Sequence, residues 1–256
     1  MPPPFRLLAI TPPEGPVPAD TVSRWLGSDI ALLLREPGTP AAQLLADHHR
    51  LAPLRRACIE AGIPVLLSLA PHELDLPLPS FKRHNIAGLH LRGDPDLATL
   101  TRARALLARS VAPDSPGPAD ASPRAASPDS PAALSAGPWL GRSCHGLAQP
   151  GDALVDYTLF APVFTPTTAQ PGRPLGSKIP AGLAALQAWT AGPGAVVFAL
   201  GGVTPATAAS CLAVGVWGLA GIGVFFGEPG QVEQDVAALR ELLAASDRHV
   251  EPVSPR

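Results

Sequence analysis

Short β-rich apolar runs alternate with longer amphipathic stretches along this chain, the pattern of βα units wrapped around a parallel sheet. Eight such runs predict strands over Arg6–Ile10, Ile30–Leu34, Val65–Leu69, Gly88–Leu91, Leu140–Ser143, Tyr157–Phe164, Val196–Leu200 and Gly218–Val224. Runs such as Ile30 to Leu34 are apolar throughout, as strands covered on both faces should be. Between them, Pro40–Gly62 places Leu44, Leu45, Leu51, Leu54 and Cys58 at steps close to the helical period, and a glycine ends it. Leu97–Leu107, Ile179–Trp189, Pro205–Val214 and Val232–Leu243 read as further crossover helices, with Thr204-Pro205 a cap followed by a first-turn proline. Eight strands with crossovers in 256 residues fit an α/β fold of the (β/α)8 TIM-barrel type better than an open doubly wound sheet.

One stretch breaks the rhythm. Residues 111–137 are almost all Pro, Ala, Ser, Asp and Gly, with no periodic apolar face to offset the entropy of ordering, and they read as a disordered insertion before the fifth strand. It would lie at the N-terminal face of the barrel, away from the face that carries chemistry. The barrel itself is expected over residues 5–246, and 247–256 read as a flexible tail.

Composition narrows the function classes. The formal charge of -2, with no clustering of Lys and Arg, removes the electrostatic basis for nucleic-acid binding. No apolar run reaches the roughly 20 residues of a membrane span, and Met1 to Phe5 lack the features of a signal peptide, so a cytoplasmic protein is expected. Cys58, Cys144 and Cys211 have neither disulfide-framework nor zinc-site spacing and read as reduced thiols.

In a barrel the chemistry sits where strands end, so the residues that follow each strand are the candidates. Gly201 and Gly202 after the seventh strand, and Gly221-Ile222-Gly223 at the eighth, fit backbone N–H groups presented to a phosphate, although a tight turn needs the same residues. Arg35 could clamp a phosphate or carboxylate with Glu36 orienting it, or the two could be a surface ion pair. His145, beside Ser143, has the ring chemistry for proton transfer, while a structural histidine would look the same. Thr165, Thr167 and Thr168 follow the sixth strand and Ser68 ends the third. Asp94 and Asp96 could hold Mg²⁺ or simply form the turn that opens a helix. His48 and His49 fall on the long helix and His90 inside the fourth strand, where solvated or packing roles suffice.

Six motifs in order make the chain resemble the thiamine-phosphate synthase/TenI family of (β/α)8 proteins: Leu34-Arg35-Glu36, Gly88-Leu89-His90-Leu91, Gly141-Arg142-Ser143-Cys144-His145, Ala161 to Thr167, Ala199 to Pro205, and Gly215 to Ile222. The resemblance runs from about Phe5 to Ala244, the insertion excepted. It implies that Gly202, Ile222 and Gly223 cradle the phosphate of a thiazole phosphate, helped by Thr167 and Thr168. Synthase members join that compound to a hydroxymethylpyrimidine diphosphate and release diphosphate, with magnesium neutralising the leaving group.

Measured against the synthase pattern, the losses fall on the pyrimidine-diphosphate side. The usual Gln-Leu-Arg-Glu-Lys reads Leu33-Leu34-Arg35-Glu36-Pro37, Asn-Asp after strand three reads Ser68-Leu69, the second metal aspartate aligns on Pro95, and the lysine of the strand-six loop on Ala169. Losing two lysines and a metal carboxylate should weaken diphosphate binding severely. TenI-like members are thiazole tautomerases, which move a proton on a carboxythiazole phosphate with neither metal nor diphosphate. Their catalytic histidine lies in the Ser-x-His element that Ser143 and His145 match. The resemblance therefore implies a TenI-like tautomerase in which His145 passes the proton, Arg35 holds the ring carboxylate and the glycine loops hold the phosphate. The alternatives are a true synthase and a non-catalytic thiazole-phosphate binder. Magnesium is expected only with synthase activity, and the partner is a small thiazole phosphate rather than nucleic acid or membrane.

Overall fold

The computed structural model describes residues 2–25, 27, 29–76, 81–111, 138–145, 152–168, 172, 174, 177–192 and 195–249. Eight parallel strands, β1 (Leu7–Ile10), β2 (Ile30–Leu34), β3 (Val65–Leu69), β4 (Ile86–Leu91), β5 (Trp139–Cys144), β6 (Tyr157–Phe160), β7 (Val197–Ala199) and β8 (Gly218–Gly221), close in sequence order into a barrel. Pairing of Leu7 with Leu219 and Leu8 with Ala220 joins β8 to β1, leaving no open sheet edge. This is the (β/α)8 architecture that the alternating pattern predicts.

Alternation along each strand divides the core in two. Leu8, Ile10, Ala31, Leu33, Leu66, Tyr157, Leu159, Phe198 and Ala220 fill the barrel interior, while Leu7, Leu32, Leu34, Leu67, Leu69 and Leu140 face the surrounding helices. Phe5 seals the base, its ring edge-on to Trp139 at 5.5 Å and to Tyr157 at 6.0 Å. Tyr157 takes so much of the interior that a Cβ at Gly141 would lie 2.1 Å from its ring.

The outer layer departs from the sequence reading in several places. Pro40–Gly62 is not one helix but α1 (Ala41–Leu44) and α2 (Ala52–Glu60), because Pro53 cannot lie inside a helix and instead opens the second one. Short 3₁₀ turns follow β1 (Ala19–Trp25), β3 (Pro71–Asp75) and β5 (Asp152–Leu154). α3 (Leu97–Val111), α4 (Gly182–Thr190) and α5 (Pro205–Ala213) follow β4, β6 and β7. β6 stops at Phe160, ahead of Pro162, which has no N–H for the ladder. β8 stops at Gly221, and the chain turns into α6 (Gly223–Phe226), whose Phe225 and Phe226 rings lie 6.0 and 5.0 Å from Trp25.

The last helix, α7 (Pro229–His249), runs into the stretch read as a flexible tail, and Arg6 pairs with Asp247 across the base of the barrel. Val111 ends α3, and the rest of the expected insertion, 112–137, lies outside the described residues, as do 250–256. No helix among the described residues is long and apolar enough to cross a membrane.

Candidate active site

A cavity of about 610 Å³ opens at the C-terminal ends of the strands. Strand alternation sets its floor: His90 and Ser143 follow the same inward face as Gly88 and Gly141 and line the cavity, while Ser68, level with His90 on β3, is not part of the lining. His90 Nε2 lies 2.9 Å from Ser143 Oγ and Nδ1 lies 3.1 Å from the Tyr157 hydroxyl. Burial, and then the positive charges of Arg35 and Arg92, push His90 down to about 3, so the ring is neutral at ordinary pH. The packing role read from sequence is thus incomplete: His90 is buried, yet it also lines the cavity. Ser68 is buried, and its Oγ has no partner among the described residues.

One side of the mouth is cationic. Arg35 follows β2 and Arg92 follows β4, so the two flank the end of β3, and both line the cavity. The Arg35 backbone N–H donates to Thr11 Oγ1 at 2.8 Å, and that hydroxyl donates in turn to the Arg35 carbonyl, so β1 fixes where Arg35 begins. Arg92 Nη2 donates to Glu73 Oε2 at 2.8 Å. Glu73 is itself buried and accepts from the backbone N–H groups of Ala41 (2.7 Å) and Ala70 (2.6 Å). Lys178, from the long connection after β6, adds a third cation to the lining, against one lining carboxylate, Asp235.

Glu36 bonds to residues of the neighbouring loops. Its carboxylate accepts from Arg50 Nε and Thr39 Oγ1 (2.9 Å) and meets His49 Nε2 at 2.8 Å. Burial alone would raise its pKa, but the bonds from Arg50, Thr39 and His49 prevail and hold it below the usual range. Arg50 extends the cluster to the carbonyls of Pro12 and Gly15, at 2.8 and 2.9 Å, so Glu36 ties together the loops beyond β1 and β2. His49 is therefore part of a loop clamp and not a solvated helix residue.

Across the mouth, His145 lines the cavity from the end of β5. Its backbone N–H donates to Asp94 Oδ1 at 2.9 Å and its Nδ1 lies 3.0 Å from Asp94 Oδ2. Asp94 sits in the left-handed region at φ 51°, a conformation aspartate tolerates because its short side chain bonds locally. Asp96 does something else: its Oδ1 accepts from the Thr99 N–H at 2.8 Å and opens α3. The two carboxylates thus have separate duties. Among the described residues no three Asp, Glu, His or Cys side chains come together in a metal-binding group.

The loops after β6, β7 and β8 complete the wall with Thr167, Thr168, Gly201, Gly202, Ile222 and Gly223. Gly201 and Gly202 both have positive φ, 95° and 64°. Added Cβ atoms would meet Pro162 Cβ at 2.6 Å and the Thr165 carbonyl at 2.6 Å, so packing of the β7 loop against the β6 loop already demands glycine, with no ligand invoked. Thr207 Oγ1 accepts from the Thr204 N–H (2.9 Å) and donates to the Gly202 carbonyl (3.0 Å), holding that loop rigid at the head of α5. Added to Gly223, by contrast, a Cβ would find nothing nearer than Thr168 Oγ1 at 3.9 Å, which leaves room for a ligand there.

The cavity therefore collects Arg35, Ser143, His145, Thr167, Thr168, Gly201, Gly202, Ile222 and Gly223, and excludes Glu36, Asp94, Asp96 and Thr165 from its lining. Arg92, Lys178 and Asp235 were not legible in the sequence. Arg92 lies two residues past an inward-facing histidine, a weak signal, and nothing in the spacing of Lys178 marks it.

Residues 125–225 match the model of a family described as thiamine monophosphate synthase. No curated protein matches the chain. Among solved structures, thiamine phosphate pyrophosphorylase from Pyrococcus furiosus superposes with a TM-score of 0.63 at 18% identity, covering 95% of this chain and 98% of that one. Thiamine phosphate pyrophosphorylase from Bacteroides thetaiotaomicron gives 0.50 at 17% identity, with 94% and 98% covered. Phosphoribosyl anthranilate isomerase from Thermus thermophilus gives 0.54 at 17% identity, with 94% and 99% covered, so these superpositions speak for the barrel alone. It is the match over residues 125–225, which span β5 to the eighth-strand loop and so much of the cavity wall, that makes this part of the chain similar to the thiamine monophosphate synthase family, on a barrel that the superpositions share.

Proposed function

We propose that the protein is a TenI-like thiazole tautomerase, acting on a phosphorylated carboxythiazole through proton transfer by His145. The observation that carries this reading is the His145–Asp94 pair at the edge of a cationic cavity. With its Nδ1–H donated to Asp94, a neutral His145 keeps the Nε2 lone pair as the base. That nitrogen takes a proton from one position of the bound heterocycle and returns it at another, so the reaction is balanced with no other reactant. The phosphate lies against Gly202, Ile222 and Gly223 with the Thr167 and Thr168 hydroxyls. Remote binding of that kind holds the ring still while the proton moves.

The residues present do not fit a magnesium–diphosphate site. Both oxygens of Asp94 face His145 and Asp96 caps α3, while Ser68-Leu69 and Pro95 supply no carboxylate where synthases have one. A second reading, the synthase, draws support from the three cations Arg35, Arg92 and Lys178, which together suit a polyanion. Two assays separate them. Purified protein given carboxythiazole phosphate should interconvert its tautomers, and His145→Asn should abolish turnover while leaving phosphate binding intact. Metal-dependent thiamine phosphate formation from hydroxymethylpyrimidine diphosphate and thiazole phosphate, at the rate of a known synthase run in parallel, would overturn the tautomerase reading.

A further inference from the structure

We infer that Tyr157 and His90 are positioning residues: together they fix the Ser143 hydroxyl as a hydrogen-bond donor into the cavity, so that the site takes a heterocycle presenting an acceptor atom there and disfavours one without it. The inference deepens the proposed function and rests on it for the identity of the heterocycle, while the relay stands on its own geometry.

The relay exists because β5 carries a glycine where its two neighbours carry rings. Register sets His90 of β4 level with Gly141, and Gly141 level with Tyr157 of β6. All three follow inward faces, and with no side chain at 141 the two rings meet across β5, stacked with centroids 5.6 Å apart. His90 Nδ1 then reaches the Tyr157 hydroxyl at 3.1 Å, and Nε2 reaches the Oγ of Ser143, the next inward position along β5, at 2.9 Å.

Hydrogen-bond accounting sets the direction of the relay. The Tyr157 ring is hemmed in by the rings of Phe5 and Phe198, and His90 is the one hydrogen-bond partner of its hydroxyl among the described residues. Burial raises the Tyr157 pKa, so the hydroxyl keeps its proton. A buried O–H needs an acceptor; His90 Nδ1 therefore carries the lone pair, and the neutral ring holds its proton on Nε2. Nε2–H donates to Ser143 Oγ, which leaves the serine hydrogen for the cavity that Ser143 lines. The opposite tautomer would strand the Tyr157 O–H, a penalty that depopulates it about tenfold or more. Around this donor the floor is apolar, formed by the inward side chains of Ile10, Leu33, Leu159 and Ala220. A ligand lying on that floor meets a fixed donor at one point, and a thiazole ring can offer it the nitrogen lone pair.

Nitrogen NMR on the full chain with labelled histidine reports which ring nitrogen carries the proton, and the His90 signals are to be sought among those that do not titrate between about pH 8 and 5. Nε2–H with an accepting Nδ1 is expected; Nδ1–H overturns the relay, as does a spectrum in which every histidine titrates. Specificity is read by calorimetry with thiazole phosphate and with its thiophene isostere, which keeps the ring shape and the phosphate but has no ring nitrogen. The wild-type protein should prefer thiazole phosphate about tenfold. Ser143→Ala should bring that preference close to unity. Tyr157→Phe, which lets the serine hydrogen turn back to His90, should reduce it at least about threefold. Affinity for the thiophene compound should be unchanged in both variants, which also reports that they are folded. Equal affinities in the wild type, or a full preference in either variant, overturn the inference. A protein that binds neither compound sinks the proposed function instead, and the histidine spectrum then decides the relay alone.

Discussion

His90 makes a prediction that does not depend on the ligand. The ring is fully buried, bonded to Ser143 and Tyr157, and faces the positive charges of Arg35 and Arg92, so its pKa falls from 6.5 to about 3. In the unfolded chain it returns to its ordinary value. Between pH 6.5 and 3 the unfolded state therefore binds a proton that the folded state refuses, and stability falls as pH falls through this window; above 6.5 neither state is charged and no penalty remains. The full span of this linkage comes to about 5 kcal/mol, of which roughly 2 kcal/mol accrues between pH 6.5 and 4.5. His90→Asn keeps a polar group toward Ser143 and Tyr157 but cannot titrate. Urea unfolding at pH 7.5, 6.5, 5.5 and 4.5, followed by fluorescence of the four tryptophans, should show the wild type losing about one proton's worth more stability per pH unit than the variant. Acid-sensitive groups common to both proteins cancel in the difference. Parallel profiles would refute the reasoning and mean that His90 meets solvent or a counter-charge in the native state.

Asp94→Ala should leave the fold intact, because the pair is more than a third exposed, and lower the turnover of the proposed tautomerisation about 10- to 100-fold through a loosened His145, with little change in KM. Gly202→Ala forces a Cβ to 2.6 Å from the Thr165 carbonyl at φ 64° and should cost about 1–3 kcal/mol in thermal unfolding, together with weaker binding of inorganic phosphate. Glu36→Gln breaks the clamp with Arg50 and His49 and should cost about 1–3 kcal/mol at pH 7. The Glu36 pKa is held below 4.5, so its contribution is present above that pH and fades as pH falls further; wild type and Glu36→Gln should converge in acid unfolding, and a constant gap would count against the assignment.

The barrel was legible because its strands are short and apolar, and all but β6 and β8, which end early, lie within two residues of the runs that predict them. Where the reading slipped, a local rule had been outvoted by the wider pattern. Leu44 to Cys58 keep a helical spacing, but Pro53 interrupts the hydrogen-bond ladder and splits the segment. Tyr157 to Phe164 is a long β-rich run, yet Pro162 ends the pairing early. The tail read as loose begins with helical residues because Asp247 meets Arg6, a partner 241 residues away.

At the site, strand ends pointed to Arg35, Ser143, His145 and the glycine loops, since βα loops must gather at one face of any such barrel. The neighbours of each residue were a different matter. Glu36 follows Arg35 directly, yet successive residues at a strand end point to opposite sides, and Glu36 turned to Arg50. Asp94 looked like half of a metal site and became the support of His145. Arg92, just past β4, meets Glu73 from the turn after β3, and spacing along a chain carries no information about such a meeting. By itself, then, the sequence determined the strand order, the two-sided core and the face on which chemistry would gather, because hydrophobic periodicity and connection length are local quantities. Which carboxylate pairs with which base, and which buried ring loses its proton, were decided only by tertiary structure. Those outcomes depend on desolvation and on charges brought together by closure of the barrel.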